Sequence, residues 1–299
     1  MVTANIKYTF SGHETFACRN LWLKKGYDYV ISGKKFKDED AVVRLGVGKN
    51  MVGAIRFWLK AFNILTPDDQ ITEFGQRLLS NDGWDPYLED QGTLWLLHYQ
   101  LVKTNYATIY NIIFGSFRRE KTLFNKDSYI SYLHKWNENG ELGTLNENTL
   151  TSDFSVFARM YSGFSENDSA NLEELNSKFF SELNLLNTIK VPSEMDVKKF
   201  EDRFQLLEKE QAALPEHILL YSILDKFNES VSISVREIET EANSPHLIFC
   251  MTNKGLIQKI IEITDLYKDI VYNDQAGIKE LQFKRLLNPF DVLNDYYAK

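Results

Sequence analysis

Residues 41–65, with the sequence AVVRLGVGKNMVGAIRFWLKAFNIL, decide the fold of the N-terminal part of the chain. Their apolar side chains recur at helical spacing on both sides of Gly46, which favours two helices joined by a sharp glycine turn. The second helix is predicted to bury one stripe of side chains, formed by Val52, Ile55, Leu59 and Phe62. This pattern predicts a helix-turn-helix, an element that DNA-binding proteins insert into the major groove.

Polar residues of the same stretch are expected to project from the opposite side of the helices. Basic side chains there would neutralise phosphates, and a carboxamide would read the edge of a base. The candidate DNA-binding residues are Arg44, Lys49, Asn50, Arg56 and Lys60. A second interpretation stays open, because the same spacing also occurs in small helical bundles.

The charge of the chain is distributed unevenly. The whole chain has a formal net charge of −8, which by itself disfavours a nucleic-acid partner. Residues 1–65 carry 11 lysines and arginines against 5 acidic residues, a net charge of +6, so the remaining 234 residues carry −14. Because salt confines electrostatic fields to about 8–10 Å, a local basic surface can bind phosphates even on an acidic protein.

The predicted fold class is mainly α with small β-hairpins, arranged in three regions. Residues 1–83 are predicted to form a winged-helix-type DNA-binding unit, in which a turn at residues 66–69 and a short hairpin precede a helix capped by Thr72. Residues 84–213 are predicted to form a helical core and an acidic connecting region. Residues 214–299 are predicted to form a C-terminal winged-helix-like unit that contacts protein, because its positive charges are few.

Within the middle region, Asp85 and Pro86 are predicted to begin a helix that continues into the apolar sequence TLWLLHYQLV at residues 93–102. The polar residues 137–152 predict a loop. Two short amphipathic helices are predicted after it, around residues 172–186 and 198–207.

In the C-terminal region, residues 215–227 predict an amphipathic helix, and residues 230–242 predict a second helix that begins at a serine. Residues 245–267 are consistent with a third helix. Two short β-type runs follow on either side of Ala276 and Gly277, which predicts a hairpin.

The composition predicts a soluble cytoplasmic protein that does not contact a membrane. The 299 residues include neither a charged leader followed by an apolar run nor the roughly 20 consecutive apolar residues that span a bilayer. The two cysteines, Cys18 and Cys250, cannot supply a disulfide framework or a four-ligand zinc site, so both are predicted to be reduced.

The sequence SGHETFACRNLWLKKG at residues 11–26 contains the candidate catalytic residues His13, Glu14 and Arg19. An imidazole, a carboxylate and a guanidinium are the groups that phosphodiester cleavage uses as base, metal ligand and charge stabiliser. The same residues also permit a structural interpretation, because Ser11 and Glu14 have the spacing of a capping box at the start of a helix.

Three acids in WDPYLED provide another candidate metal site, consisting of Asp85, Glu89 and Asp90. Positions 85 and 89 would lie one turn apart on a helix, where two carboxylates can share a divalent ion. Acids in a first helical turn also stabilise the helix dipole without any metal. His98, inside an apolar run, is predicted to be a hydrogen-bonded core histidine.

Several sequence segments, taken together, resemble a bacterial family of unknown function over nearly the full length of the chain. They are FSGHETF at residue 10, AVVRLGVGKNM at residue 41, DPYLED at residue 85, TLWLLH at residue 93, LPEHI at residue 214 and NDQAGI at residue 273. That family is similar to the B component of Ssp-type DNA phosphorothioation systems, which replace a non-bridging phosphate oxygen with sulfur and serve defence against phage. These systems also encode a cysteine desulfurase, an ATPase and a sulfurtransferase similar to PAPS reductases.

The resemblance implies a DNA-binding partner of the sulfur-transfer machinery with a nicking activity. We therefore expect double-stranded DNA, the sulfurtransferase and the ATPase as partners, and Mg²⁺ as the cofactor if the protein nicks DNA. The motifs match at His13, Glu14, Arg19, Lys49, Asn50, Asp85, Glu89 and Asp90. Two other functions stay open: a non-enzymatic adaptor that recruits the sulfur-transfer machinery, and a transcriptional regulator that dimerises on a palindromic site.

Overall fold

A computed structural model describes residues 8–163, 177–192 and 200–298 of the chain. Its α-helices are α1 (Trp22–Ile31), α2 (Ala41–Leu45), α3 (Lys49–Ala61), α4 (Glu73–Leu79), α5 (Gln91–Thr104), α6 (Thr108–Ile112), α7 (Arg118–Glu120), α8 (Lys126–Trp136), α9 (Glu147–Tyr161), α10 (Glu216–Lys226), α11 (Val235–Thr240), α12 (Pro245–Ile248), α13 (Asn253–Leu266) and α14 (Pro289–Tyr297). The β-strands are β1 (Leu123–Phe124), β2 (Leu186–Pro192), β3 (Phe200–Leu206), β4 (Ser232–Ser234), β5 (Ile270–Gln275) and β6 (Ile278–Phe283). They form two antiparallel three-stranded sheets, so the predicted class of mainly α with small hairpins is confirmed.

The chain divides into two compact units. Unit 1 contains residues 1–87 and 100–206, and unit 2 contains residues 88–99 and 207–299. Helix α5 contributes residues to both units. The three functional regions expected from the sequence, with boundaries after residues 83 and 213, stay a prediction.

Helices α2 and α3 are joined by the predicted glycine turn. Gly46 ends α2 in the left-handed conformation, with φ 60° and ψ 39°, which a glycine adopts without steric cost. The four residues of the predicted stripe on α3 are buried, at 6% exposure for Val52 and 0% for the other three. Val47 packs between the helices, against a small core that includes Leu45 and Val52.

Helix α1 packs closely against α3 because Gly26 has no side chain. A Cβ atom at this position would lie 2.5 Å from Leu59 Cδ1 and 2.7 Å from Ile55 Cγ2, well inside van der Waals contact. A larger residue at position 26 would require the buried side chains of Leu59 and Ile55 to shift, so this glycine permits the close approach of α1 to α3.

The segment after α3 contains a tight turn rather than a formed hairpin. Leu65 and Ile71 make one isolated antiparallel bridge around residues 66–70. Thr72 caps α4 as predicted, since its hydroxyl accepts the N–H of Gly75 at 2.9 Å.

Two helix starts differ from the sequence predictions. Helix α5 begins at Gln91, not at Asp85, because the Asp90 carboxylate accepts the N–H of Gly92 at 2.7 Å. Helix α9 begins at Glu147, inside the predicted loop, because the Asn146 side chain accepts the N–H of Thr149 at 3.1 Å. In both cases a local cap, rather than the apolar pattern, sets the first helical residue.

The predicted helix at residues 198–207 is wrong over its described part, where the chain forms strand β3. Its partner β2 runs antiparallel, with Leu186 opposite Leu206 and Pro192 opposite Phe200, and β1 pairs along the other edge. Phe204 and Leu206 are buried two residues apart, which is the period of a strand. Residues 172–176, 198 and 199 of the predicted helices lie outside the described residues, and Ser181–Leu183 forms only a 3-10 turn.

From α10 onwards, unit 2 follows the order helix, strand, three helices, hairpin and helix. The hairpin of β5 and β6 turns at Ala276 and Gly277, both with positive φ, and this prediction is confirmed. The single helix predicted at 245–267 is instead two helices, α12 and α13, because Thr252 caps a new helix by accepting the N–H of Gly255. None of the helices in the described part of the chain has both the length and the apolar character needed to cross a bilayer.

Candidate nucleic-acid interface

Lys49 and Asn50 lie exposed in the first turn of α3. Gly48 precedes them in an extended conformation, so the free N–H groups of the turn and the Lys49 ammonium share one surface. Within the described residues, no carboxylate forms an ion pair with Lys49. A helix N-terminus with an unpaired cation is favourable for a phosphate, and a neighbouring carboxamide can contact a base.

Arg44 contributes a second exposed cation from the last turn of α2. Its side chain is 54% exposed and hydrogen-bonds to Asp40, one helical turn earlier. This hydrogen bond lowers the pKa of Asp40 below its ordinary value, so the pair stays ionised at neutral pH. The guanidinium is therefore accessible, but it carries its own counterion.

Lys60 does not project outward, and the predicted orientation is wrong. Its side chain is 6% exposed, and its ammonium contacts the Pro67 carbonyl oxygen at 2.6 Å and Asp69 Oδ1 at 2.8 Å. The residues after α3 turn back over this position, which the helical spacing by itself does not reveal. Lys60 is thus part of the internal support of the turn.

Arg56 is half-buried and bound to the same carboxylate. Its Nε and Nη2 donate to Asp69 Oδ1 and Oδ2 at 2.8 and 2.7 Å. Partial burial disfavours the charged carboxylate, yet hydrogen bonds from Arg56 and Lys60 outweigh it and lower the pKa of Asp69. The two parallel hydrogen bonds to the Asp69 carboxylate fix the position of the Arg56 guanidinium.

Sequence reasoning missed a cationic pocket in unit 1. The loop between α1 and α2 places Lys34, Lys35 and Lys37 around a cavity of about 470 Å³, and Arg56 with the turn at residues 68–70 lines the other side. Three lysines within four residues are the sequence signal that would have found it.

His13 is buried, with 2% of its surface exposed. Its Nε2 lies 2.8 Å from Asp153 Oδ1, and its ring stacks on Trp58 with centroids 5.7 Å apart. Both Asp153 carboxylate oxygens also accept the N–H of Ser11, at 2.9 Å each. Asp153 was not a sequence candidate, because 140 residues separate it from His13. In this position, His13 joins the N-terminal segment to helix α9, which contains Asp153.

The segment around His13 has an unusual backbone. Ser11, Glu14 and Thr15 have φ values of 68°, 50° and 68°, a backbone conformation that residues other than glycine rarely adopt. The capping-box interpretation of Ser11 and Glu14 is wrong, because the first described helix begins only at Trp22. Such strain is characteristic of functional sites and persists only where surrounding contacts impose it.

Glu14 is exposed on this strained segment, whereas Arg19 is half-buried. The Arg19 guanidinium lies over the Trp22 ring, 5.3 Å from its centroid. Of the three candidate catalytic residues, Glu14 is therefore the most accessible, and Arg19 has its position set by an aromatic face.

The three acids of WDPYLED form no metal site. Asp85 is buried, and Asp90 Oδ1 accepts both the Gly92 N–H and the Tyr296 hydroxyl, at 2.7 and 2.6 Å. Across residues 8–163, 177–192 and 200–298, no group of three His, Cys, Asp or Glu residues is arranged to hold a metal ion. The predicted helical spacing of Asp85 and Glu89 does not occur, because α5 starts after both.

His98 is a core residue, as predicted. Its Nε2 lies 2.8 Å from the Ile248 carbonyl oxygen within unit 2, and its side chain is fully buried. Burial lowers the pKa of His98 to about 4, so the imidazole is neutral at physiological pH.

Comparison with known proteins identifies a family over almost the whole chain. The model of a family described as "protein of unknown function (DUF4007)" matches residues 10–297. No curated protein sequence matches at a significant level.

Two solved structures are similar to this fold, a crystal structure of SspB and a crystal structure of magnesium ion-bound SspB. Each has a TM-score of 0.82 and 26% sequence identity, and each alignment covers 97% of this chain and 88% of the other. Because the family model spans residues 10–297, the chain belongs to the DUF4007 family.

Proposed function

We propose that this protein is the DNA-binding component of an Ssp-type DNA phosphorothioation system. The observation that carries the proposal is the similarity to SspB, with a TM-score of 0.82 over 97% of the chain. The exposed cations and carboxamide of α2 and α3 support a DNA contact at the N-terminal unit. Double-stranded DNA would be the substrate, and the sulfurtransferase and ATPase of the system would be the protein partners.

In this proposal, α3 enters the major groove by its N-terminus. Asn50 contacts a base edge, and Lys49 and Arg44 contact phosphates on either side. Arg56 would contribute from the edge of the surface, since Asp69 already neutralises part of its charge. Lys60 is excluded from the interface by its burial. The turn at residues 66–70 would take the position of a short wing.

Salt-dependent binding tests this interface. Fluorescence anisotropy would be measured with a labelled duplex at several salt concentrations, for the wild type and for Lys49→Gln. Removing one phosphate contact should lower the slope of log affinity against log salt by about 1. Lys190→Gln, an exposed lysine on strand β2, is the matched control and should leave the slope unchanged. An unchanged slope for Lys49→Gln would remove this residue from the interface.

We also propose that the protein nicks one DNA strand, so that sulfur can be incorporated. The magnesium ion-bound SspB structure and the strained backbone at Glu14 support this activity. Glu14 and Arg19 would contact the DNA, and His13 would be a positioning residue bound to Asp153. The described residues do not supply a three-ligand metal group.

Conversion of supercoiled plasmid to open circle tests the nicking activity. The purified protein would be compared with Mg²⁺ and with EDTA, alongside Glu14→Gln and the exposed control Glu39→Gln. Nicking that needs Mg²⁺ and is lost only in Glu14→Gln would support an active site on the N-terminal segment. Equal nicking by wild type and Glu14→Gln would exclude this carboxylate.

A non-enzymatic adaptor is the second candidate function. The burial of His13 and the missing three-ligand group within the described residues favour it. The acidic residues 66–299, with a net charge of −14, would then dock the sulfurtransferase or the ATPase. Intact plasmid together with salt-sensitive DNA binding would support the adaptor. A dimer that binds only a palindromic site would instead indicate a transcriptional regulator.

A further inference from the structure

We infer that the cationic pocket of unit 1 binds a nucleotide, with the phosphate at its lysines and the base against Phe36. The pocket lies between the loop after α1, residues 33–37, and the turn after α3, residues 68–70. The inference rests on the proposed DNA function only for the source of the nucleotide. Nucleotide binding itself is inferred from the residues that line the pocket.

The size of the pocket suits a ligand of this class. Its volume is about 470 Å³, which falls within the range of roughly 300–1,000 Å³ that small-molecule sites occupy. Its walls combine apolar side chains, Val30 and Phe36, with charged and polar ones. Such a mixture is usual where one end of a ligand is apolar and the other is ionised.

The lysine side of the pocket has an excess of positive charge. Lys35 and Lys37 have no carboxylate within ion-pair distance among the described residues. Lys34 is 3.7 Å from Asp40, and Arg44 also hydrogen-bonds to that carboxylate. Two unpaired ammonium groups and a weakly paired one would be neutralised by a phosphate dianion.

Phe36, on the same loop as the lysines, offers a stacking face for a base, and the turn on the opposite side offers polar groups. Phe36 is half-buried, with its ring 5.5 Å from that of Tyr29, and it packs on the small core beneath α2. An aromatic face in this position can stack with a nucleobase. Asp68 and Gln70 are exposed at the rim, and their side chains can accept or donate hydrogen bonds at a base edge.

Both walls are fixed by internal hydrogen bonds. On the loop side, Tyr29 donates its hydroxyl proton to the Lys35 carbonyl oxygen at 3.0 Å, and the Lys35 N–H donates to Asp38 at 2.9 Å. On the turn side, Asp69 is held by Arg56 and Lys60. A pocket that is already ordered binds without the entropic cost of arranging its walls.

Isothermal titration calorimetry on the full chain tests the inference. The probes are the four deoxynucleoside 5′-monophosphates, one deoxynucleoside and inorganic phosphate. We expect at least one monophosphate to bind, and the nucleoside and phosphate to bind about tenfold more weakly, because each makes only one of the two contacts, with Phe36 or with the lysines. No binding of any monophosphate at about 1 mM protein and ligand would overturn the inference.

A pair of double variants provides the matched comparison. Lys35→Gln/Lys37→Gln removes the two unpaired ammonium groups, and we expect about a tenfold loss of monophosphate affinity. Lys121→Gln/Lys190→Gln makes the same change of net charge at exposed lysines of unit 1 that do not line the pocket. Thermal unfolding of both variants confirms folding. Equal losses in the two variants would contradict a pocket and indicate general electrostatic attraction.

A 5′-phosphorylated single-stranded oligonucleotide distinguishes the two sources of nucleotide. If it binds more tightly than the monophosphate and loses affinity in Lys35→Gln/Lys37→Gln, the pocket takes a nucleotide of a DNA strand. If only the monophosphate binds, the ligand is a free nucleotide. Duplex binding without nucleotide binding would overturn this inference and leave the proposed function intact. Nucleotide binding without duplex binding would support this inference and contradict the proposed function.

Discussion

At the scale of single residues, Asp153 is the side chain that holds the N-terminal segment in place. It is 2% exposed and accepts hydrogen bonds from the Ser11 N–H and from His13. Asp153→Ala would leave the buried His13 and the partly buried Ser11 N–H without this acceptor, and it should lower the free energy of unfolding by about 3 kcal/mol. Urea denaturation followed by tryptophan fluorescence measures the change.

Asp82 provides the comparison for this substitution. Its side chain is exposed in unit 1, so Asp82→Ala should change the free energy of unfolding by no more than about 0.5 kcal/mol. If Asp153→Ala were as stable as Asp82→Ala, the contacts of the buried carboxylate would contribute nothing net. The strained backbone at Ser11 and Glu14 would then need another explanation.

His98 makes the stability of the protein dependent on pH. Its folded pKa is about 4, below the ordinary value of 6.5, because burial disfavours the charged imidazole. The unfolded chain therefore binds more protons between pH 6.5 and 4, and stability falls as the pH falls through this range. Between pH 7 and 5 the expected loss from this residue is about 2 kcal/mol.

A pH series of urea denaturation on wild type and His98→Gln measures this contribution. The glutamine can still donate a hydrogen bond to the Ile248 carbonyl oxygen but does not titrate. We expect the wild type to lose more stability than the variant between pH 7 and 5. Parallel curves for the two proteins would show that protonation of His98 is not linked to unfolding.

At the scale of elements, the turn between α2 and α3 depends on the left-handed Gly46. An added Cβ would meet no atom within 4 Å, so the cost of a substitution comes only from the backbone conformation. Gly46→Ala should destabilise the protein by about 1 kcal/mol and weaken DNA binding, because the relaxed turn would reorient α3. Denaturation and duplex anisotropy measure the two effects.

Gly48 is a matched control only two residues away. It also has open space around its Cβ position, but its φ of −66° is available to every residue. Gly48→Ala should therefore leave the turn intact and change stability less than Gly46→Ala. Equal effects of the two substitutions would contradict a specific requirement for the left-handed conformation.

At the scale of the whole molecule, the asymmetry of charge predicts which part of the chain a duplex would contact. Residues 1–65 carry a net +6 and the rest carry −14, so duplex DNA should be attracted to the first and repelled by the second. Hydrogen exchange with and without a bound duplex should show added protection at residues 34–61. No added protection is expected at residues 207–298, and protection of the β5–β6 hairpin would contradict this.

Much of the helical structure could be predicted from the sequence. The stripe on α3, the turn at Gly46 and the hairpin at Gly277 follow from spacing or from the conformational freedom of glycine. The starts of α5 and α9 could not be predicted from the apolar pattern. Single capping side chains, Asp90 and Asn146, decide them, and several polar residues nearby are equally plausible caps.

The candidate site was predicted less completely than the fold. Lys49 and Asn50 are exposed as the helical spacing requires, because an exposed position in a first turn depends on local geometry alone. The burial of Lys60 and of His13 was not predicted, because it depends on segments that fold over them. The lysine pocket was missed because its second wall belongs to the turn after α3.

The helix-turn-helix spacing, the C-terminal hairpin, the location of positive charge and the family could all be inferred from the order of the residues. These properties depend on residues a few positions apart, or on a sum over residues, and need no knowledge of packing. The pairing of His13 with Asp153, the ion pair of Lys60 with Asp69 and the strand at residues 200–206 depend on the folded chain. Each joins groups that the chain brings together by burying apolar surface, and sequence spacing does not encode which distant groups meet.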